Sequence, residues 1–166
     1  DAAVRHPEAY SGFGTRILGH TLRDKPGDTA AILIPSAGCP LGCNFCSTSA
    51  LFGGKGKSVD FFNTGDELFE VMTRLEKKLH VDSFFVLAEN FLYYRKRALR
   101  LLELMREKKK SWSLYIFSSA RVVQSYTMEQ LAGLGIAWVW MGLESVQNHY
   151  RKLSGVDTKK LVKKLQ

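Results

Sequence analysis

After residue 30 the sequence alternates short apolar runs with longer segments whose apolar residues recur at helical spacing. The apolar runs predict strands over residues 30–36, 81–88, 112–118 and 137–143. The other segments predict helices from Thr64 to about Leu79, from about Tyr93 to Lys109, from Thr127 to Gly133 or Gly135, and from Thr158 to Gln166. Strands that alternate with helices pair in parallel through right-handed crossovers, so we predict an α/β fold.

Two of these helices begin with a capping pattern. Thr64 stands three residues before Glu67, and Thr127 stands three residues before Gln130. In such a pair the threonine hydroxyl accepts a hydrogen bond from the backbone of the later residue, whose side chain bonds back to the threonine backbone. Each pair therefore predicts where a helix begins.

All three cysteines, Cys39, Cys43 and Cys46, lie in the loop that follows the first predicted strand. An odd number of thiols cannot pair off completely as disulfides. Three thiolates in one loop can instead hold an iron–sulfur cluster, and a four-iron cluster with three protein ligands keeps one iron open. The spacing therefore predicts a cluster site at the carboxyl end of the first strand, the end where α/β barrels carry out chemistry.

Two other interpretations of the cysteines stay open. A structural zinc site needs four ligands, and the chain's histidines stand away from the triplet, at His6, His20, His80 and His149. The thiols are alternatively small buried apolar side chains with no shared function. Thiols of that kind scatter over strands and helices, so their grouping in one loop favours the cluster.

The residues around the triplet resemble the radical S-adenosylmethionine superfamily. The C-x3-C-x2-C spacing directly after a first strand, with Phe45 just before Cys46, is typical of that family. The resemblance implies that Cys39, Cys43 and Cys46 bind three irons of a 4Fe–4S cluster, and that the fourth iron chelates S-adenosylmethionine. It implies reductive cleavage of S-adenosylmethionine to methionine and a 5′-deoxyadenosyl radical, which abstracts hydrogen from a substrate. It also implies a partial TIM-like (βα)6 barrel, of which about four units are present here.

The same resemblance implies cofactor-binding residues after the later strands: Glu89, Asn90, Ser118, Arg121, Glu144 and Ser145. Glu89 stands where the family contacts the methionyl amine, and it is alternatively an acid at a helix N-terminus. Arg121 would face the methionyl carboxylate, with a surface ion pair as the alternative. Glu144 belongs to a Gly-x-Glu-Ser string whose glutamate approaches the cofactor in the family.

A subgroup of this family carries a cobalamin-binding domain, and residues 88–91 and 52–56 resemble its strings at these places, although Ala88 replaces an acid. This resemblance implies cobalamin bound by a domain outside the chain and methyl transfer to an unreactive carbon. It also implies an electron donor such as a flavodoxin or ferredoxin, and a small-molecule substrate that the sequence does not identify. The alternatives are an RNA-modifying member of the superfamily and a non-catalytic binding module stabilised by zinc or a cluster.

The chain carries a net charge of +8. Its lysine runs, at 108–110 and 159–164, allow a nucleic-acid face. Both runs lie at or near predicted helix ends or the chain end, where lysines interact favourably with the helix dipole, so the pattern favours solvated ends. The segment 53–57 lacks the spacing of a phosphate-binding loop and predicts a mobile loop after the cysteines.

No apolar run approaches the length of a membrane span, no signal peptide is recognisable, and a thiol-rich loop suits a reducing compartment. We therefore expect a cytoplasmic protein with no membrane span. Residues 1–29 predict a lead-in segment or a linker from an upstream domain, and 30–166 a partial core domain. Because the chain does not begin with Met, we expect a fragment whose fourth strand is partly uncovered at Trp138, Trp140 and Met141, and which self-associates.

Overall fold

A computed structural model describes residues 30–48, 51–52, 54–144 and 151–165. Its strands are β1 (Ala30–Leu33), β2 (Ser36–Gly38), β3 (Ser58–Asp60), β4 (Ser83–Val86), β5 (Ser113–Phe117) and β6 (Ile136–Trp140). Its α-helices are α1 (Gly65–Leu79), α2 (Arg95–Glu107), α3 (Ala120–Gln124), α4 (Met128–Gly133) and α5 (Thr158–Leu165). Single 3-10 turns cover Phe91–Tyr93 and Arg151–Leu153.

Four of the strands form one parallel sheet in the order β1, β4, β5, β6. Each strand is followed by at least one helix before the next strand of this sheet, as the sequence pattern predicts. The α/β fold class is therefore confirmed, and the arrangement is consistent with part of a TIM-like barrel.

The sheet register defines a buried face. Leu33, Val86, Ile116 and Val139 are neighbours across the four strands. These side chains join one hydrophobic core with buried residues of the helices, which include Leu68, Met72, Leu101, Met105 and Leu131. Removing this apolar surface from water is the main stabilising contribution to the fold.

Alternation places a second register row on the opposite side of the sheet: Ile32, Phe85, Tyr115 and Trp138. Ile32 is 46% and Trp138 52% exposed, so this face is only partly covered. Farther along the strands, the rings of Phe117 and Trp140 stack with their centroids 5.2 Å apart. Trp138 is exposed, and Trp140 and Met141 are half-buried. This agrees with the expectation that the fourth strand of the sheet is partly uncovered.

The prediction of a single strand over residues 30–36 was wrong in one respect. β1 ends at Leu33, and β2 leaves the parallel sheet to pair antiparallel with β3, which the sequence did not predict. Pro35 separates the two strands because it has no N–H for a sheet ladder. Its carbonyl oxygen instead accepts hydrogen bonds from the N–H groups of Phe61 and Phe62, at 2.9 and 3.2 Å.

Both predicted capping boxes are present. The backbone N–H of Glu67 donates to the Thr64 hydroxyl oxygen at 3.1 Å, and the Glu67 carboxylate accepts from the Thr64 N–H at 3.1 Å. Thr127 and Gln130 make the same reciprocal pair at the start of α4. The sequence pattern missed α3, which spans little more than one turn.

One of the lysine-run residues has a structural role. Lys110 pairs with Glu76 of α1, whose other carboxylate oxygen accepts a hydrogen bond from the buried indole of Trp112 at 3.0 Å. Although burial acts to raise it, the hydrogen bonds from Lys110 and Trp112 lower the pKa of the Glu76 carboxyl. None of the helices in the described residues is long and apolar enough to cross a membrane.

Gly135 should be sensitive to substitution because the chain passes close to β5 there. Its φ is 66°, and an added Cβ would clash with the carbonyl oxygen of Trp112. Gly155 has a similar φ of 76° but nothing within 4 Å of an added Cβ, so it is a matched control. We expect Gly155→Ala to lower the free energy of unfolding by about 1 kcal/mol, and Gly135→Ala by about 3 kcal/mol. Equal losses in chemical denaturation would contradict the close approach.

Candidate functional site

The cysteine loop begins directly after β2 and returns to β3. Cys39 is buried, whereas Cys43 and Cys46 are partly exposed. Two backbone hydrogen bonds shape the loop: Gly42 N–H to Cys39 carbonyl at 3.4 Å, and Cys46 N–H to Cys43 carbonyl at 3.1 Å. The three thiols therefore lie on two consecutive turns at the carboxyl-end side of the first strands.

The three thiols interact electrostatically. Burial raises the pKa of the Cys39 thiol, and the neighbouring Cys43 and Cys46 raise it further. Hydrogen bonds from the Leu41 backbone and from the Asn90 side chain act in the opposite direction. Cys39 is thus close to both other cysteines and to a residue that follows β4, and nearby iron cations would favour its thiolate form.

The donor set can be tested against the alternatives. In the described part of the chain, no three His, Cys, Asp or Glu side chains converge on a point where one metal ion would fit. A structural zinc ion requires four such ligands around a single point. An iron–sulfur cluster is held by Cys thiolates, with each of three cysteines on its own iron, so it does not require three sulfurs to meet at one ion. Thiolates are the usual ligands of iron–sulfur clusters, so the side chains of this loop suit a cluster by their chemistry.

The segment that follows the cysteines packs against their loop through glycines. Gly42 has a φ of 58°, and an added Cβ would lie 3.1 Å from the backbone nitrogen of Gly56. A Cβ on Gly56 would in turn lie 3.3 Å from the Pro40 carbonyl oxygen. Lys55 donates from Nζ to the carbonyl oxygens of Cys43, at 3.2 Å, and Asn44, at 2.6 Å. The sequence predicted a mobile loop here and missed these contacts, which hold the segment against the cysteine loop.

A buried arginine holds the far end of this region against α2. Arg97 donates from Nη1 to the Phe62 carbonyl oxygen at 2.7 Å and lies 3.7 Å from the carboxylate of Asp60, at the end of β3. Its guanidinium also lies 4.4 Å from the centroid of the Tyr94 ring, whose hydroxyl shares a 2.7 Å hydrogen bond with Ser58. These contacts fix β3, and with it the end of the cysteine loop.

Asn90 joins the ends of two neighbouring strands. Its side-chain oxygen accepts hydrogen bonds from the Ser118 hydroxyl at 2.8 Å and the Ser119 N–H at 3.1 Å. Asn90 and Ser118 are both buried. The structure therefore brings together these two predicted site residues and Cys39, with Asn90 as their link.

Glu89, the residue before Asn90, has a buried side-chain oxygen. Among the described residues, its Oε2 atom has no hydrogen-bond partner. A buried acceptor without a partner is costly, and such atoms are rare in folded proteins. Within the described residues, the atom is therefore available to a further hydrogen-bond donor.

The remaining predicted residues lie in different surroundings. Arg121 is exposed on α3, in contrast to the buried Asn90 and Ser118. Glu144 follows β6 with a φ of 53° and pairs with Lys152, which the sequence did not predict as a site residue. Ser145 lies outside the described residues.

The comparison with protein families agrees with this geometry. A sequence model described as the Radical SAM superfamily matches residues 33–165. The chain belongs to this superfamily. No curated protein and no solved structure gave a match. Radical SAM proteins in general use a 4Fe–4S cluster and S-adenosylmethionine, and the matched range covers every cysteine as well as Glu89, Asn90 and Glu144.

Lys55 should slow the loss of iron from this radical SAM domain. Replacing it by Met keeps the length of the side chain and removes the hydrogen bonds to Cys43 and Asn44, so the cysteine loop opens more often. We expect iron to be lost to a chelator about fivefold faster, because losing these two exposed hydrogen bonds together costs roughly 1 kcal/mol. Lys57→Met is the control, since Lys57 is exposed in the same segment. Equal rates in both variants would contradict this role of Lys55.

Proposed function

We propose that this radical SAM domain holds a 4Fe–4S cluster through Cys39, Cys43 and Cys46 and cleaves S-adenosylmethionine reductively, as part of an enzyme acting on a small-molecule substrate. The observation that carries the proposal is the buried Oε2 atom of Glu89, which has no hydrogen-bond partner in the part of the chain that the structure describes. It belongs to the residue next to Asn90, whose side chain reaches the thiol of Cys39. A carboxylate in that position suits the amino group of a ligand bound beside the thiols.

When bound by Cys39, Cys43 and Cys46, a cluster would supply the difficult chemistry, which is one-electron reductive cleavage of S-adenosylmethionine. The protein's own groups bind and orient. Glu89 accepts hydrogen bonds from the methionyl amine, and Glu144 approaches the cofactor from the end of β6. Asn90 and Ser118 hold the two strand ends in place, because their polar atoms already bond to one another.

The two remaining candidates contribute less to the proposal. Arg121 is exposed, so it reaches a methionyl carboxylate only if its long side chain turns toward the strand ends. The proposed role of Ser145 is supported only by its place beside Glu144 in the sequence pattern. The proposal therefore depends on the cysteines, Glu89 and Asn90.

Cobalamin-assisted methyl transfer is a narrower proposal, supported by the resemblance of residues 88–91 and 52–56 to one subgroup. Lys55 and Gly56 pack on the cysteine loop. This packing explains the residues of the 52–56 string without cobalamin. A flavodoxin or ferredoxin is the proposed electron donor, and the reducing cytoplasm the proposed location.

The alternative proposal of RNA modification rests on the lysines. In α5, Leu161 is buried while Lys159, Lys160, Lys163 and Lys164 are exposed, which is the pattern of any amphipathic surface helix. Lys110 is engaged with Glu76. These observations favour the small-molecule proposal.

The cysteines should be required together for cluster assembly. We expect the anaerobically reconstituted wild type to bind about four irons with matching sulfide and to absorb broadly in the visible range. Replacing Cys39, Cys43 or Cys46 by Ala removes one of three ligands and should abolish a stable cluster in iron and sulfide analysis. One bound zinc and no sulfide in the wild type would instead identify a zinc-stabilised binding module.

Glu89 should be required for binding S-adenosylmethionine and not for the cluster. We expect S-adenosylmethionine to change the electron paramagnetic resonance spectrum of the reduced wild type. Glu89→Gln keeps the shape of the side chain and removes its charge, so we expect about tenfold weaker binding with unchanged iron content. Glu129→Gln, on the exposed side of α4, is the control. Equal affinity in both variants would leave Glu89 without a cofactor role.

A further inference from the structure

Lys152 connects residues that follow opposite edges of the sheet. β1 and β6 are the two outer strands of the parallel sheet in the described residues. The cysteine loop comes after β1 and β2, and Glu144 comes after β6. Lys152 forms an ion pair with Glu144, and its Nζ atom lies 5.2 Å from the centroid of the Phe45 ring. One ammonium group therefore bridges the end of β6 and the residue before Cys46.

The side chain that carries this ammonium group is largely covered. The Lys152 side chain is only 14% exposed, compared with 32% for that of Glu144. A partly desolvated cation depends on its partners for compensation, and attraction to an aromatic face strengthens as water is removed. The pair with Glu144 and the contact with Phe45 therefore count for more than a surface ion pair of the same residues would.

The backbone around Glu144 accommodates the pair at a conformational cost. Glu144 has a φ of 53°, a left-handed conformation that residues other than glycine seldom adopt and that persists only where the surroundings impose it. Gly142 leaves the space that the pair occupies: an added Cβ would lie 2.7 Å from the Lys152 Nζ atom and would also clash with the Glu144 carboxylate. Two local features thus fit the same ion pair.

Lys152 is not needed to attach its own segment to the fold. Leu153 is 1% exposed and Val156 5% exposed, and both belong to the hydrophobic core. These two apolar residues anchor the segment beside the sheet. A variant that loses only the charge of Lys152 should therefore still fold, which makes the role of the charge testable.

We propose that Lys152 is a positioning residue of the S-adenosylmethionine site: it fixes Glu144 in its left-handed conformation and holds Phe45, and hence the Cys46 turn, toward the end of β6. This inference rests on the proposed function. It adds Lys152 to the site and links the position of Glu144 to that of the cysteine loop. Through Lys152, the carboxylate that approaches the cofactor and the loop that carries the third thiol are held as one unit.

The test compares Lys152→Met with Lys152→Arg and with Lys163→Met, an exposed control on α5. In the protein without cluster, the rate at which a maleimide alkylates Cys46 is measured by mass spectrometry, with Cys39 as internal reference. In the reconstituted protein, iron content, the affinity for S-adenosylmethionine and the change it causes in the paramagnetic resonance spectrum are measured. Arginine keeps the positive charge, so it separates the role of charge from that of packing.

In Lys152→Met we expect the maleimide to alkylate Cys46 several-fold faster than in the wild type. We also expect this variant to bind S-adenosylmethionine about tenfold more weakly, with unchanged iron content. Lys152→Arg should recover most of both effects, and Lys163→Met should match the wild type. Wild-type alkylation and affinity in Lys152→Met would overturn the inference. If S-adenosylmethionine leaves the wild-type spectrum unchanged, the proposed function fails, and the alkylation rates alone decide whether Lys152 holds the cysteine loop.

Discussion

The parallel register of the four strands is the constraint on which the site depends. One register row crosses the sheet and packs against the helices: Leu33, Val86, Ile116 and Val139. This packing fixes the register, because a shift of one residue would turn these side chains to the other face of the sheet. Once the strands are level and parallel, their carboxyl ends reach the same edge of the sheet. Hydrophobic packing in the core therefore brings to one edge the segments that follow the strands, which carry the cysteine loop, Glu89, Ser118 and Glu144.

Short polar contacts join the residues that lie at this shared edge. Asn90 links β4, β5 and the first thiol through hydrogen bonds that leave its own amide oxygen fully engaged. Glu89, one residue earlier, keeps a buried oxygen without a partner in the described residues. Asn90 therefore connects the strand ends, and Glu89 is the residue that we propose binds the cofactor.

Glycine decides how closely the cysteine loop can be enclosed. At Gly42 and Gly56 the backbones of two loop segments approach to distances that side chains would disturb, and Gly142 makes room for an ion pair at the other side of the sheet. The same close packing explains why two lysines, Lys55 and Lys152, reach the cysteine loop from different segments. Contacts from two different segments therefore hold the loop that carries the three thiols.

The sequence by itself determined the α/β class, the capped starts of α1 and α4, the place of the cysteines after the first strand and the family resemblance. These are local signals, since apolar periodicity, a Thr-to-Glu spacing and a thiol triplet each lie within a short window. Only the tertiary structure decided the pairing of β2 with β3, the packing of Gly42 on Gly56, the links of Asn90 and the contact of Lys152 with Phe45. Those contacts join residues far apart in the chain or too few to form a pattern, and they are selected by the space and charge left after the core has packed.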